Sequence, residues 1–109
     1  MKKTITGLLY EKKGQEPKKI SVKNSLRDLQ NLIGGHIEAF GLPNCGGAVV
    51  ICDEEGKMKG LEPTRGIKDR RGRTYDILVG KFFVCGQNGS EFDSLSTRQA
   101  ELVTEYFKE

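Results

Sequence analysis

The sequence predicts an α+β fold, in which a mostly antiparallel sheet of about five strands has two helices packed on it. Apolar runs rich in Val, Ile, Phe and Tyr alternate with segments rich in Gly, Asn and Pro, as is typical of strands joined by turns. Two other segments place apolar residues at helical spacing behind a capping sequence. The chain has 109 residues, which suits one domain, and we place that domain at residues 1–109.

The apolar runs give the strands in chain order. We predict strands at residues 5–10, 20–22, 36–40, 48–52 and 75–85. A polar, lysine-rich stretch between the first two suits an exposed hairpin loop. Gly80 lies inside the last run and indicates a break or a bulge there. Residues 61–73 show no apolar period, with Ile67 as their only interior apolar anchor, so we expect an irregular segment.

Two capping sequences begin the predicted helices. Ser25 and Asp28 form the first, in which a hydroxyl and a carboxylate satisfy free amides, and the glycine pair 34–35 ends that helix. Its apolar face consists of Leu26, Leu29, Leu32 and Ile33. Ser96 and Gln99 form the second capping sequence. The buried face of that second helix consists of Ala100, Val103, Tyr106 and Phe107.

Composition and charge bound the class of protein. Hydrophobic residues make up 36% of the chain and tryptophan is absent, so a monomer has little apolar surface to bury in a core. We therefore expect a homo-oligomer. The net charge of +3 is too small to indicate nucleic acid by itself, although residues 1–24 carry seven lysines against two glutamates. No apolar run approaches the roughly 18 residues of a membrane span, and the N-terminus is too polar for a signal peptide. We therefore expect a cytoplasmic protein with no membrane partner.

Residues that carry chemistry are sparse. Cys45, Cys52 and Cys85 form no C-x-x-C pair, and the only histidine, His36, has no companion at metal-ligand spacing. The thiols are therefore predicted to be buried as small hydrophobes, and no metal site is expected. The chain contains no nucleophile elbow, phosphate loop or dinucleotide fingerprint. We expect a protein that is not an enzyme, has no catalytic residue and uses no cofactor.

Positive charge is concentrated between residues 65 and 73. Four arginines and one lysine lie within these nine positions, and Gly66 and Gly72 soften the backbone. Arginine matches phosphate and carboxylate oxygens bidentately, and glycine lets backbone amides approach an anion. An aromatic ring just beyond the segment is placed to stack on a base. The predicted ligand-binding residues are Thr64, Arg65, Lys68, Arg70, Arg71, Arg73 and Tyr75.

The same segment has a second interpretation, which is a solvated hairpin loop. Residues 69–73 combine Asp, Arg and Gly in an order that favours a turn. Arg65 is the better candidate for binding a ligand, because residues 61–65 lie between apolar elements rather than at a loop tip. Both interpretations stay open at the level of sequence.

Four blocks of the chain resemble one family. They are LRDLQNLIGGHIE (26–38), VICDEEGK (50–57), GLEPTR (60–65) and YDILVG (75–80). In order and spacing they resemble the domain of unknown function family 3846, small proteins typical of phages and other mobile elements in Firmicutes. The resemblance covers roughly residues 3–107. That family usually has Pro-Asn-Arg where this chain has Pro63, Thr64 and Arg65, so the resemblance supports Arg65 and departs at Thr64.

The resemblance implies a setting rather than a mechanism. Small phage proteins without catalytic residues often act on host defence, and one mode is the sponge, an oligomer that binds a nucleotide-derived immune signal and withholds it. We therefore expect a counter-defence homo-oligomer that binds a small anionic, nucleotide-like ligand in the host cytoplasm. Two alternatives remain, namely direct inhibition of a host defence or nuclease protein, and weak binding of nucleic acid through the lysines and arginines.

Overall fold

Antiparallel strand pairing organises the chain. The computed structural model describes residues 3–109, and in that part of the chain eight strands and two helices form. In order they are β1 (Thr4–Tyr10), β2 (Lys18–Lys23), α1 (Leu26–Ile33), β3 (Ile37–Gly41), β4 (Val49–Asp53), β5 (Pro63–Lys68), β6 (Thr74–Val79), β7 (Phe82–Asn88), β8 (Glu91–Asp93) and α2 (Thr97–Tyr106). The pairs between these strands are antiparallel, so the predicted α+β fold is confirmed.

The strand β7 lies at the centre of the larger sheet. Among residues 3–109 this sheet has six strands, in the order β2-β1-β7-β4-β3, and β8 pairs with the far part of β7. The strands β5 and β6 form a separate two-stranded sheet, which we call the hairpin. The first half of β7 is buried throughout, because it has a strand on each side and packed elements on both faces.

Each face of the larger sheet has its own apolar cluster. On one face, side chains of β1, β4 and β7 pack with Leu29 and Ile33 of α1. On the other face, Tyr10 and Phe82 pack with Phe107 at the end of α2, and the ring centroids of Tyr10 and Phe82 lie 4.8 Å apart. This second cluster also contains Ile67 and Leu78 of the hairpin. The hairpin and α2 therefore cover the same face of the sheet.

Both helices begin and end near the predicted positions. The Ser25 hydroxyl caps α1 by accepting from the Asp28 amide at 3.1 Å, and Gly34 ends the helix in the left-handed conformation with φ of 96°. The Asp28 carboxylate accepts from the Ser25 hydroxyl, at 2.5 Å, rather than from the backbone. The capping box at Ser96 and Gln99 is complete, with reciprocal hydrogen bonds of 2.9 and 3.1 Å.

The segment between residues 61 and 85 differs from the prediction in two ways. Residues 63–68, expected to be irregular, form β5, and the single strand expected at 75–85 divides into β6 and β7 in different sheets. Gly80 makes the division, because its φ of 72° turns the backbone out of the extended conformation. Leu61 packs so closely on Gly80 that an added Cβ would lie 2.6 Å from its Cδ1.

The three cysteines are buried free thiols, as predicted. Burial raises the pKa of Cys52 and of Cys85 to about 12, so neither is a thiolate near neutral pH. The residues that the structure describes include no group of three or more His, Cys, Asp or Glu side chains arranged to hold a metal ion.

Among the helices of residues 3–109, none has the length and apolar character that crossing a membrane would require.

Candidate anion-binding hairpin

The register of the hairpin decides which of the predicted ligand-binding residues face inward. Arg65 lies opposite Leu78, and Gly66 lies opposite Ile77. Successive side chains of a strand point to opposite faces, so Arg65 and Leu78 face the core while Ile77 faces outward. Burial agrees, because Arg65 and Leu78 are each 7% exposed, whereas Ile77 is 46% exposed.

The Arg65 guanidinium is held by backbone carbonyls from three parts of the chain. Its Nε donates to the carbonyl of Phe107 at 3.1 Å, just beyond α2. Its Nη1 donates to the carbonyls of Lys12 and Thr64 at 3.2 and 2.9 Å. Its Nη2 donates to the carbonyl of Gln15 at 2.5 Å. The side chain therefore ties β5 to the loop between β1 and β2 and to the C-terminal end of α2.

A carboxylate and an aromatic ring complete the surroundings of Arg65. Glu109 Oε1 lies 3.1 Å from Arg65 Nη1 and also accepts from the Gly14 amide at 2.7 Å. The guanidinium carbon lies 5.1 Å from the ring centroid of Tyr10, which is a cation–π arrangement. A buried charge is tolerated only where such partners replace water, and Arg65 has them.

Thr64 is also buried, at 2% exposure, and its hydroxyl donates to the carbonyl of Gly80 at 2.6 Å. This hydrogen bond joins the start of β5 to the turn that follows β6. The structure therefore places Thr64 and Arg65 inside the protein, away from the exposed arginines that follow them in sequence.

The tip of the hairpin is an ordered turn that presents arginines to solvent. The Asp69 carboxylate accepts from the amides of Arg71 and Arg73 at 2.9 and 3.0 Å, and the Asp69 amide donates to the Arg73 carbonyl at 2.8 Å. Gly72 supplies the left-handed residue of the turn, with φ of 78°. Arg70 and Arg71 are exposed and form no ion pair within residues 3–109, whereas Arg73 Nε lies 3.6 Å from the Asp69 carboxylate.

An exposed apolar strip continues from this tip along β6. Tyr75 is 63% exposed, and Ile77 follows it on the same face. A shallow depression over this strip is lined by both side chains and by Lys57 and Pro63. The strand that follows the arginine-bearing turn therefore has an uncovered aromatic ring and an uncovered aliphatic side chain on its outer face.

Tyr106 of α2 anchors the hairpin beside the tip. Its hydroxyl accepts from the Lys68 amide at 2.7 Å and donates to the Lys68 carbonyl at 2.8 Å. Lys68 is half-buried and ends β5, so this contact fixes the last strand position before the turn. The tyrosine was predicted to be part of the apolar face of the second helix, but nothing in the sequence pairs it with residue 68.

The predicted site thus divides into two groups. Thr64 and Arg65 are interior, and the remaining five predicted residues lie at or near the tip and the outer face. Lys68, Arg70, Arg71, Arg73 and Tyr75 are the members of this second group, which we call the tip group. A model of the family described as Domain of unknown function (DUF3846) matches residues 5–108.

The chain belongs to the DUF3846 family. The predicted resemblance to this family is therefore confirmed over nearly the whole chain. No match was found among curated proteins or among solved structures. The family description names no activity, and function is therefore inferred from the geometry of the hairpin.

A second cavity of this DUF3846 domain lies between the hairpin and the edge of the larger sheet. It has a volume of about 150 Å³, and its acidic lining residues are Glu38, Asp53, Glu54 and Asp76. Burial acts to raise the pKa of Asp53, but hydrogen bonds from Lys59 and from the Glu55 amide outweigh it and hold the pKa below its usual value. Lys57 pairs with Asp76 at 2.6 Å. Asp53 and Asp76 each pair with a lysine, and the acidic lining of this cavity offers little to an anion.

Proposed function

We propose that this protein binds a phosphate-bearing, nucleotide-like ligand through the tip group, without chemical turnover. One observation carries the proposal, which is the exposure of Tyr75 and Ile77 beside a turn that presents arginines to solvent. Guanidinium groups recognise phosphate oxygens, and an uncovered aromatic ring offers a base a stacking surface. The Asp69 turn orders the backbone before a ligand arrives, which lowers the entropy cost of binding.

The narrower form of the proposal is a counter-defence sponge from a phage or another mobile element. Such a protein would withhold an immune signalling nucleotide in the cytoplasm of the host. The outer face of the hairpin is open, and a small ligand bound on an open surface exchanges freely with solvent. A second copy of the chain is needed to enclose it. We expect a homo-oligomer by light scattering coupled to size exclusion, and a strict monomer with bound ligand would contradict the sponge.

Isothermal titration calorimetry against cyclic dinucleotides and cyclic ADP-ribose isomers tests the proposal. We expect Arg71→Gln and Tyr75→Ala each to weaken binding by about tenfold, because each removes a contact of roughly 1.4 kcal/mol. Arg98→Gln is the matched control, since it removes the same charge from an exposed side chain at the start of α2. If none of these nucleotides produced heat on titration, the proposal that the protein binds a small nucleotide-like ligand would be overturned.

The openness of the hairpin face also favours a second candidate, which is single-stranded nucleic acid. Lys57 lines the depression beside Tyr75, and Lys13 lines a neighbouring depression that includes Ile77. Although Lys57 pairs with Asp76 in this depression, an extended strand can follow the exposed Tyr75 ring and the exposed tip arginines without being enclosed. Binding of a short oligonucleotide would then weaken steeply as salt is raised. If the protein bound neither small nucleotides nor nucleic acid, and a pull-down recovered one host protein in stoichiometric amount, direct inhibition of that host protein would be favoured.

A further inference from the structure

Glu109 occupies the position that an external anion would take beside Arg65. Its Oε1 forms an ion pair with Arg65 Nη1 at 3.1 Å and accepts a hydrogen bond from the Gly14 amide at 2.7 Å. A guanidinium charge and a backbone amide close to one oxygen are features that proteins use to hold carboxylate and phosphate. The Glu109 side chain is 39% exposed, whereas that of Arg65 is 6% exposed. The carboxylate is thus the more solvent-accessible partner, and the guanidinium is the buried one.

A cavity of about 300 Å³ adjoins this pair. Its lining includes Arg65 and Glu109 together with Tyr10, Gln15 and Phe107. Tyr10 is 1% exposed, and its hydroxyl has no hydrogen-bond partner by distance and angle within residues 3–109, although the Thr104 side chain lies near enough to lower its pKa. Buried hydroxyl groups without partners are rare in proteins and call for an explanation such as an absent water or ligand. A buried cation and an unsatisfied hydroxyl thus border one space.

We propose that Arg65 and the Gly14 amide form a binding site for a small oxyanion, and that Glu109 fills this site until a carboxylate or phosphate group displaces it. Displacement retains the hydrogen bonds from Arg65 to the carbonyls of Phe107, Lys12 and Gln15, so the fold survives the exchange. The ligand carries one small anionic group, because Glu16 and Glu105 also line the cavity and outnumber Lys108, so a highly charged anion is repelled.

The site shares no residue with the tip group, although Arg65 and Glu109 also line the depression that includes Ile77. Arg65 faces the core from β5, whereas the tip group lies at the turn and on the outer face. Loss of nucleotide binding at the tip therefore leaves this proposal standing, and the reverse also holds. Arg65, which the structure buries beside the Glu109 carboxylate, thus belongs to a binding site separate from the tip group.

Glu109→Gln tests the proposal, because it keeps the shape of the side chain and removes the charge with which the internal competitor pairs with Arg65. If Glu109 occupies the site about nine-tenths of the time, its removal tightens binding of inorganic phosphate by about tenfold. Glu101→Gln is the matched control, since it removes the same charge from an exposed position on α2. Binding is followed by the chemical shift of the Gly14 amide in titrations with inorganic phosphate and, in a second arm, with acetate.

We expect the Gly14 amide of Glu109→Gln to shift with phosphate or with acetate at concentrations that leave the wild type and Glu101→Gln unchanged. The arm with the tighter binding identifies which oxyanion the site prefers. We also expect each bound anion to raise the melting temperature of Glu109→Gln more than that of the other two proteins. Equal increments in all three would reflect a general effect of salt and would overturn the proposal, as would an unmoved Gly14 amide.

Discussion

Arg65 and Arg71 lie six positions apart in one hairpin, and their surroundings are opposite in character. Arg65 is 7% exposed and has five oxygen acceptors around its guanidinium, four backbone carbonyls and one carboxylate. Arg71 is exposed, and its backbone amide is fixed by Asp69 while its side chain has no ion-pair partner within residues 3–109. The difference shows that a run of arginines is not one feature, because strand alternation and the distance from the core assign each side chain separately.

The largest expected effect that separates the two arginines is on stability. Arg65→Ala removes a guanidinium that joins β5, the loop between β1 and β2, and the end of α2, and it leaves buried carbonyls without donors. We expect the free energy of unfolding to fall by about 3 kcal/mol. Arg71→Ala, an exposed substitution, is expected to change it by less than about 0.5 kcal/mol. Urea denaturation followed by circular dichroism measures both, and equal losses would remove the distinction between the interior arginine and the tip.

A second, somewhat smaller effect is the loss of stability at high pH, which arises at Tyr10 beside Arg65. Burial raises the pKa of Tyr10 to about 12, although the nearby Arg65 charge acts in the opposite direction. The folded state favours the neutral phenol, so its contribution is fully present below pH 10 and is lost as pH rises from about 10 to about 12. The loss amounts to about 2 kcal/mol for this one group. Cys52 and Cys85, whose pKa values burial also raises to about 12, add to the loss.

Tyr10→Phe isolates the tyrosine from the thiols. The variant removes a hydroxyl without a hydrogen-bond partner, so we expect it to fold with nearly unchanged stability at pH 7. Its stability should then fall less between pH 10 and 12 than that of the wild type. Identical slopes in denaturation experiments across this range would show that Tyr10 ionises as freely in the folded chain as in the unfolded one.

The local patterns of the sequence predict the two helices better than the hairpin. Ser25, Gly34 and Ser96 act through neighbours within a few residues, so capping sequences alone place both helices. The strand β5 was missed because its inward positions hold Arg65 as well as Ile67, and an arginine at a core position erases the apolar period. The sequence also identified the basic segment as the functional candidate, but its division depends on contacts with Phe107 and Lys12, which no local pattern encodes.

The hydroxyl of Tyr106 tests whether the hairpin depends on α2 for its position. Tyr106→Phe keeps the ring and removes both hydrogen bonds to the Lys68 backbone. We expect a loss of about 1–1.5 kcal/mol in the free energy of unfolding, since the Lys68 amide and carbonyl are left to find water. Hydrogen exchange of the Lys68 amide should accelerate more than that of amides in β4. Uniform acceleration across the chain would indicate a global loss of stability instead of a loosened hairpin.

The smallest expected effect on stability, and the one that bears most directly on function, concerns Asp69. Asp69→Ala removes the acceptor for the amides of Arg71 and Arg73 and the partner of the Arg73 side chain, all at an exposed turn. We expect a loss of about 0.5–1 kcal/mol in the free energy of unfolding, which calorimetry of the melting transition measures. If the tip group binds a phosphate-bearing ligand, the affinity should still fall, because the arginines must then be ordered at the moment of binding. An affinity that rises would mean that the Asp69 charge opposes the ligand more than its turn prepares the site. An affinity that does not change would place the ligand away from the tip and return the three exposed arginines to the role of a solvated loop.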